Sequence, residues 1–351
     1  TAFHKLSLVI IINILTITLI TFPFHAQIGG LIFGAGVDII NVKLLLIVAI
    51  TQALFDFSIA YLRTQGRIAR LSIYNLIRYS SRAIVLGVFV YLMGAGLTIS
   101  IIIMSLIQLF LILILYFTNI YKGPKEKTND NGIKLSEILS FSTPLIPYTL
   151  LIWVYNFINR YFLLYYEGIE SLSIYAANYS LAATLTLFYS VILYVSYSEM
   201  ASKWNLGNKK EALTLLEDRL MFYLFIITPL LIALPMVRSQ IIYAISTPFY
   251  NTEWTVFASL MVAIGFIGVQ QLGQLPLLLE GKTKTLMGIT LGVAIVSIGL
   301  NFVLVPSFGI LGAAMAFGLS CCLSALTTIY ISQKWNPIKL NKFSNKLHIK
   351  K

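Results

Sequence analysis

The sequence predicts an all-α membrane protein, a polytopic bundle of about ten transmembrane helices in two lobes of four and six. The chain is 58% hydrophobic and 11% charged, with a mean hydropathy of +0.86, whereas about 25% of residues in soluble proteins are charged. Its apolar runs have the length of about 20 residues that a bilayer core of about 30 Å requires. Of its 25 Lys and Arg residues, 20 lie in alternate gaps between these runs, as expected when cations stay on the cytoplasmic side.

The predicted spans are, in chain order, 6–24, 44–62, 72–93, 97–117, 138–159, 173–198, 219–236, 254–279, 285–305 and 310–332. The first run is long for a signal peptide and no small-residue cleavage site follows it, which favours a spanning helix. Pro276 predicts a kink or stop near the end of the eighth run. Gly288 and Gly292 form a GxxxG pair, which predicts close helix packing.

The most polar segment, 118–136, contains Gly-Pro and Asn-Asp-Asn-Gly and predicts a flexible cytoplasmic linker. It divides the chain into an N-terminal lobe (1–117) and a C-terminal lobe (137–333), which a basic cytoplasmic tail (334–351) follows. An even number of spans and the basic tail predict that both ends lie in the cytoplasm.

Several classes of function are disfavoured by composition. The net charge of +12 comes from short loops between apolar runs, so contact with anionic lipid headgroups explains it better than binding to nucleic acid. Cys321 and Cys322 are adjacent within an apolar run, and the three histidines are scattered, so no disulfide framework, metal site or cofactor is predicted. The sequence has no P-loop, HExxH or GxSxG motif, and its predicted outer loops are short and poor in acids, which argues against an enzyme.

Five cations depart from the alternating pattern. Lys43 and Arg238 flank predicted outer ends of spans, whereas Arg78, Arg82 and Arg160 lie within or at the end of apolar runs. An arginine in the membrane costs about 2.5–3.5 kcal/mol on insertion scales, so it usually faces a cavity or a partner. We predict that these three arginines bind an anion.

Other roles for these arginines stay open. An ion pair between Asp56 and Arg78 is an equally weighted alternative, and it would leave Arg82 unpaired and available to an anion. Arg160 could instead extend outward to the membrane surface or pair with Glu167 or Glu170.

Several predicted helices are polar on one face at 100° per residue. The polar faces consist of Tyr175, Tyr179, Thr186, Ser190 and Tyr197; of Ser142, Thr149, Asn156 and Arg160; of Asn75, Arg78 and Arg82; and of Gln270, Gln271 and Gln274. Interhelical hydrogen bonds, worth about 0.6 kcal/mol each, account for any single residue. Taken together, these faces favour a shared polar cavity that binds substrate.

Several short motifs carry a family resemblance. They are Ser-Thr-Pro-Leu-Ile-Pro from Ser142, Asn-Arg-Tyr-Phe-Leu at 159–163, Gly168 with Ser-Ile-Tyr-Ala-Ala-Asn-Tyr at 173–179, Leu300-Asn301, Val305-Pro306, Gly309-Ile310, Gly312-Ala313-Ala314 and the basic segment 62–67. In this order and spacing, over nearly the whole chain, they resemble the O-antigen and capsule flippases of the multidrug/oligosaccharidyl-lipid/polysaccharide (MOP) superfamily.

The resemblance implies a MATE-like fold with twelve or more helices, so that two N-terminal helices are expected to be missing before Thr1. This chain has Asn159-Arg160 where the family often has Asp-Arg. The change removes a carboxylate and leaves ion coupling open, with Asp56 as the candidate acid.

The function that the resemblance implies is transport of an undecaprenyl-diphosphate-linked oligosaccharide across the bacterial inner membrane, by alternating access between two lobes. Arg78, Arg82 and Arg160 would attract the diphosphate, and the polar faces would contact sugars. Membrane lipids and other polysaccharide-assembly proteins are the expected partners. A drug or cation antiporter, a peptidoglycan-precursor flippase and, less favoured, a membrane glycosyltransferase stay open as alternatives.

Overall fold

The computed structural model describes residues 39–64, 68–88, 94, 96–115, 117, 143–245 and 247–335, together with Pro23. These ranges are helical almost throughout and contain no strand, which confirms the predicted all-α class. The predicted first span (6–24), the linker (118–136), Ser142 and residues 336–351 of the tail lie outside the described residues. Contacts divide the chain into two compact units, Thr1–Gly132 and Ile133–Lys351.

The first unit contains helices α1 (Ile39–Thr64), α2 (Ile68–Leu86) and α3 (Leu97–Leu115). They correspond to the predicted spans 44–62, 72–93 and 97–117. Helix α3 packs against α1 most extensively and also contacts α2. Large apolar side chains from α1 and α3, among them Phe55 and Leu111, are buried between these helices.

The second unit contains α4 (Leu145–Ala182), α5 (Thr186–Asn205), α6 (Lys209–Met236), α7 (Arg238–Ile245), α8 (Trp254–Gly273), α9 (Leu275–Leu279) and α10 (Thr283–Trp335). Two single 3₁₀ turns, Ala183–Leu185 and Pro248–Tyr250, lie within these connections. Helix α10 packs most extensively against α4 and α8, and α6 packs against α5 and α8.

Two glycines break the longest helices. Gly168 has φ +83° and ψ −175° inside α4, and Gly309 has φ +53° and ψ −127° inside α10. Residues with a Cβ rarely adopt positive φ, so glycine is required at both breaks. Each break separates two predicted spans. The two breaks also meet, because the Glu167 Oε1 atom would lie only 3.1 Å from a Cβ on Gly309.

Helix boundaries differ from predicted spans where a helix continues beyond its apolar part. Helix α6 begins at Lys209 rather than at 219, because its first turns are polar but helical. Hydropathy locates the stretch that suits a bilayer, whereas hydrogen bonding sets the helix length. The predicted break at Pro276 is confirmed, since α8 ends at Gly273 and Pro276 lies in the first turn of α9.

Helix α8 lies at the centre of the second unit. In the apolar window of Trp254–Leu279, 72% of residues are buried, compared with 22–33% in the other candidate spans of the described chain. A helix that is apolar all round and buried belongs to the core of a large bundle. By length and composition, five helices in the described ranges could cross a membrane: Thr98–Leu115, Leu145–Asn205, Lys209–Met236, Trp254–Leu279 and Thr283–Trp335.

Close packing occurs at other glycines than the predicted pair. The Tyr223 hydroxyl donates to the Gly265 carbonyl at 2.9 Å, and the Tyr223 ring occupies the space that a Cβ on Gly268 would need. By contrast, a Cβ on Gly288 or Gly292 would meet no atom within 4 Å. The predicted close packing at the GxxxG pair is therefore not found among the described residues, where no helix lies against this face of α10.

Candidate functional site

In the first unit, Arg78 forms the ion pair that the sequence offered as an alternative. Its Nη1 atom lies 3.3 Å from Asp56 Oδ1, and its Nη2 atom donates to the Tyr79 hydroxyl at 2.6 Å. The guanidinium also lies 4.6 Å from the ring centres of Phe55 and Tyr79. The Arg78 side chain is therefore buried, neutralised and stacked, an arrangement that leaves its charge largely satisfied within the protein.

Asp56 is held by two partners. Its carboxylate accepts a hydrogen bond from Gln52 Nε2 at 2.8 Å as well as from Arg78. The Asp56 side chain is nevertheless 58% exposed. Its carboxylate is thus engaged by a cation of the protein, which competes with the predicted use of Asp56 in ion coupling.

Arg82 was expected to remain without an ion-pair partner once Arg78 paired with Asp56, and the structure gives it two amide partners rather than a carboxylate. Its Nη2 atom donates to Gln108 Oε1 and, at 3.2 Å, to Gln52 Oε1. In the described part of the chain Arg82 forms no ion pair, and its buried Nε atom has no hydrogen-bond partner. Arg82 is therefore held in place by neutral groups that leave its charge uncompensated.

Arg160 occupies a different environment in the second unit. Its guanidinium lies 4.5 Å from the ring centre of Phe157 and 4.7 Å from that of Tyr179. Among the described residues it forms no ion pair, so the alternative pairing with Glu167 or Glu170 is not observed. Its buried Nε atom lacks a hydrogen-bond partner, as does the Oδ1 atom of nearby Asn156.

Asn159 connects Arg160 to the packed interior. The buried Asn159 side chain donates through Nδ2 to the Tyr175 hydroxyl and accepts the Arg160 backbone N–H at 2.9 Å. Tyr175 and Tyr179 stack with ring centres 6.4 Å apart, and Tyr179 contacts Phe317 of α10. The Arg160 region is therefore anchored on one side by an aromatic cluster that spans α4 and α10.

The predicted polar face from Tyr175 to Tyr197 is not continuous. The 3₁₀ turn at Ala183–Leu185 interrupts it, and three residues at about 120° rather than 100° rotate later positions by about 60°. Tyr175 is fully buried and Tyr197 is 46% exposed, whereas Tyr179, Thr186 and Ser190 are intermediate. In this conformation the Tyr175 ring supports packing and has no surface to offer a sugar.

Gln270 and Gln274 are both buried in a polar network of the second unit. The Tyr148 hydroxyl donates to Gln274 Oε1, which also accepts from Gln270 Nε2 at 3.2 Å, and Gln274 Nε2 donates to Gln271 Oε1 at 2.6 Å. This network joins α4 to α8. The network therefore fits the interpretation that these residues form interhelical hydrogen bonds better than the interpretation that they line a polar cavity.

The sequence analysis did not include among the site residues three residues that contact Arg82 or Arg160. Gln52 and Gln108 bond Arg82, and Phe157 stacks on Arg160. Gln108 is 1% exposed and stands within an otherwise apolar run. That isolated amide was the available signal, because a buried polar group in a membrane helix needs a partner. Phe157 carried no signal, since aromatic residues are common on lipid-facing and packed surfaces alike.

A second anchored region lies at the connection between α7 and α8. The buried Asn178 side chain donates to the Tyr250 carbonyl at 2.9 Å and accepts from the Thr252 hydroxyl at 3.1 Å. Arg238, predicted only to flank a span, donates to the carbonyls of Thr252 at 3.0 Å and Pro235 at 3.4 Å. These bonds fix the connection to α4 and α6.

Comparison with solved structures identifies the fold. An outward-facing multidrug resistance MATE family transporter of the MOP superfamily matches with a TM-score of 0.75 and 13% identity, over 93% of this chain and 76% of that one. A MOP superfamily transporter from Pyrococcus furiosus, described as having a binding pocket of reversed polarity, matches with a TM-score of 0.76 and 13% identity, over 95% and 78% of the two chains. At this identity the likeness concerns the fold alone.

Comparison at the level of sequence identifies the family. No curated protein sequence matches the chain, but the family profile described as polysaccharide biosynthesis protein matches residues 4–259, which is most of the chain. The apolar helices and the MATE-like fold make it a multi-pass membrane protein. The chain belongs to the polysaccharide biosynthesis protein family and has the helical-bundle fold of MATE and MOP superfamily transporters.

Proposed function

We propose that the protein is a bacterial inner-membrane flippase that moves an undecaprenyl-diphosphate-linked oligosaccharide, an O-antigen or capsule repeat unit, by alternating access. The observation that carries this proposal is the state of Arg82 and Arg160. Arg82 lies in α2 and Arg160 in α4, each is held by neutral or aromatic groups, and neither has a carboxylate partner among the described residues. Membership of a polysaccharide biosynthesis family supports a glycan as the cargo.

The chemistry of a guanidinium suits this cargo. Its planar N–H fork binds phosphate oxygens bidentately, and a weakly screened charge within the membrane attracts a diphosphate more strongly than in water. Arg78 contributes less to this attraction because Asp56 neutralises it. We assign diphosphate binding chiefly to Arg82 in the first unit and, as a separate candidate position, to Arg160 in the second.

The sugar part of the cargo would contact groups near Arg160. Tyr179 is only partly buried and carries an aromatic ring and a hydroxyl, and aromatic side chains suit sugar rings. Asn156 supplies an amide oxygen without a hydrogen-bond partner. Thr186 and Ser190 are partly exposed on the following helical segments and remain proposed sugar contacts, whereas Tyr175, Gln270 and Gln274 are proposed to act only if a conformational change exposes them.

Complementation of a glycan-export mutant tests the proposal. The full-length protein should restore surface glycan, and Arg82→Ala and Arg160→Ala should reduce export by at least about tenfold, since a charge-assisted hydrogen bond contributes about 1.5–3 kcal/mol. Lipid-linked glycan should accumulate inside the cell. Arg219→Ala is the matched control, because Arg219 pairs with Glu199 at 3.1 Å on the exposed surface. Normal export by both variants at normal protein abundance would refute the anion site.

A drug or cation antiporter is the second candidate, and Asp56 is the residue on which it depends. An antiporter needs an acid that binds and releases a cation, but the Asp56 carboxylate is engaged by Arg78 and Gln52. We therefore expect Asp56→Asn to leave efflux of cationic drugs unchanged in cells that express the protein. Efflux that depends on Asp56 would favour the antiporter.

Two further alternatives differ in the lipid-linked compound that they handle. A peptidoglycan-precursor flippase would, on depletion, cause accumulation of peptidoglycan precursors rather than of O-antigen or capsule units. A membrane glycosyltransferase would transfer sugar from a sugar nucleotide in purified form. Analysis of the lipid-linked glycans that accumulate without the protein, together with a sugar-transfer assay, separates both from the proposed flippase.

A further inference from the structure

Helices α1, α2 and α3 meet at three polar side chains. Arg82 of α2 donates to Gln108 of α3 and to Gln52 of α1, and Gln108 Nε2 donates to the same Gln52 oxygen at 3.0 Å. Gln108 is 1% exposed. Each helix of the described first unit thus contributes one side chain to a closed set of hydrogen bonds around the Arg82 guanidinium.

The two glutamines hold Arg82 differently from the way Asp56 holds Arg78. A carboxylate would bind the guanidinium more strongly, but it would cancel the charge that an anion could use. An amide oxygen fixes the position of the guanidinium and leaves the positive charge in place. Both kinds of partner occur in the same unit, one helical turn apart. Arg78 contacts the carboxylate of Asp56, and Arg82 contacts two amides.

We propose that Gln52 and Gln108 are positioning residues that orient the Arg82 guanidinium toward a phosphate group of the ligand while leaving its charge uncompensated. The proposal rests on the flippase function proposed above and names the groups that prepare its anion site. The N–H groups of Arg82 that the two glutamines do not engage supply the contact to the phosphate. Gln52 also donates to Asp56 at 2.8 Å, so the amide that holds Arg82 is itself fixed by the neighbouring ion pair.

A purely structural role makes the opposite prediction for one substitution. If Gln108 only joins helices, Gln108→Glu should change stability and not anion binding, because the carboxylate strengthens the bond to Arg82 but replaces the donor to Gln52 Oε1 with an acceptor. If Gln108 prepares an anion site, the same substitution should remove anion binding, because it cancels the Arg82 charge. The melting temperature and the affinity for the anion should therefore change independently of each other.

The test uses purified full-length protein in detergent at pH 8, where a carboxyl group paired with a guanidinium is ionised. Farnesyl diphosphate serves as a soluble probe, and farnesol is the uncharged control. We expect Gln108→Glu to weaken farnesyl diphosphate binding by at least about tenfold, as Arg82→Ala should, while the protein still unfolds in a single thermal transition. Binding of farnesol should not change. Ser105→Ala is the matched control in α3, since its hydroxyl bonds only the Ile101 carbonyl at 2.9 Å.

A second variant serves if Gln108→Glu does not fold. Gln108→Met keeps the length of the side chain, retains the Arg82 charge and removes the amide, so it should weaken farnesyl diphosphate binding by about three- to tenfold as the guanidinium loses one of its two fixed partners.

The outcomes separate this proposal from the function on which it rests. If Arg82→Ala weakens binding while Gln108→Glu and Gln108→Met bind as the unmodified protein does, the positioning role is overturned and the anion site stands. If Arg82→Ala itself binds normally, Arg82 does not bind the phosphate, and both the anion site at Arg82 and its positioning residues are overturned.

Discussion

Arg78 and Asp56 form an ion pair in which the two side chains differ greatly in exposure. The Arg78 side chain is 8% exposed and that of Asp56 is 58% exposed, with 3.3 Å between Nη1 and Oδ1. The buried partner depends on the exposed one for its charge balance, whereas the exposed partner can find other contacts. The pair joins α1 to α2, and the next arginine along α2, Arg82, has no carboxylate partner in the part of the chain that the structure describes.

This asymmetry predicts unequal effects of removing either partner. Asp56→Leu leaves a buried guanidinium without a counter-charge and should lower the free energy of unfolding by about 2–3 kcal/mol. Arg78→Met leaves an exposed carboxylate and should cost about 1 kcal/mol. Unfolding of both variants in the same detergent measures the difference. Equal losses, or a larger loss for Arg78→Met, would contradict the assignment of Arg78 as the dependent partner.

Glycines in α8 and α10 should respond oppositely to alanine. Gly268→Ala places a methyl group where the Tyr223 ring lies and should destabilise the protein by about 1–3 kcal/mol. Gly288→Ala meets open space and should be neutral or stabilise by up to about 1 kcal/mol, because alanine is the better helix former. Melting temperatures of the two variants provide the measurement, and a similar decrease in both would show that Gly288 also packs closely.

Asn178 should control the mobility of the connection between α7 and α8. Asn178→Ala removes the bonds to Tyr250 and Thr252, each worth about 0.5–1.5 kcal/mol, and should speed hydrogen exchange at 250–253. The control is Ser180→Ala on the same helix, because the exposed Ser180 hydroxyl bonds only the Ala176 carbonyl. Unchanged exchange in Asn178→Ala would mean that the bonds from α7, made by Arg238, Ser239 and Tyr243, are enough to hold the connection.

The aromatic rings beside Arg160 should matter for its orientation as well as for packing. Tyr179→Leu removes one of two stacked rings and a contribution of about 0.5–2 kcal/mol, so glycan export should fall about two- to thirtyfold. Tyr179→Phe keeps the ring and should export nearly as well if stacking is what matters. Export assays at matched protein levels decide this, and a loss in Tyr179→Phe equal to that in Tyr179→Leu would assign the effect to the hydroxyl.

Much of the fold could be predicted because membrane residence depends on local sequence. Apolar runs located the long helices in the described ranges, and Pro276 marked the break after α8. The ends of α6 and the continuity of the Tyr175–Tyr197 face could not be predicted in the same way. A helix extends through polar residues as long as its backbone hydrogen bonds form. A single 3₁₀ turn changes the angular position of every later residue around the helix axis.

The candidate site was predictable in part. The intramembrane arginines and the possible Asp56–Arg78 pair came from charge in apolar runs, since such charges require partners or cavities. The amide partners of Arg82 and the rings around Arg160 could not be predicted from the sequence. Many polar and aromatic residues of neighbouring helices could have contacted these arginines equally well.

The sequence by itself determined that this chain is a helical membrane protein and which cations lie within its apolar runs. Only the tertiary structure decided that Arg78 is neutralised by a carboxylate, that Arg82 is held by two amides and that Arg160 lies between aromatic rings. Hydropathy and charge are properties of each segment alone. Which side chains an arginine contacts depends on which faces of separate helices meet. Packing between residues far apart in the chain determines which faces meet.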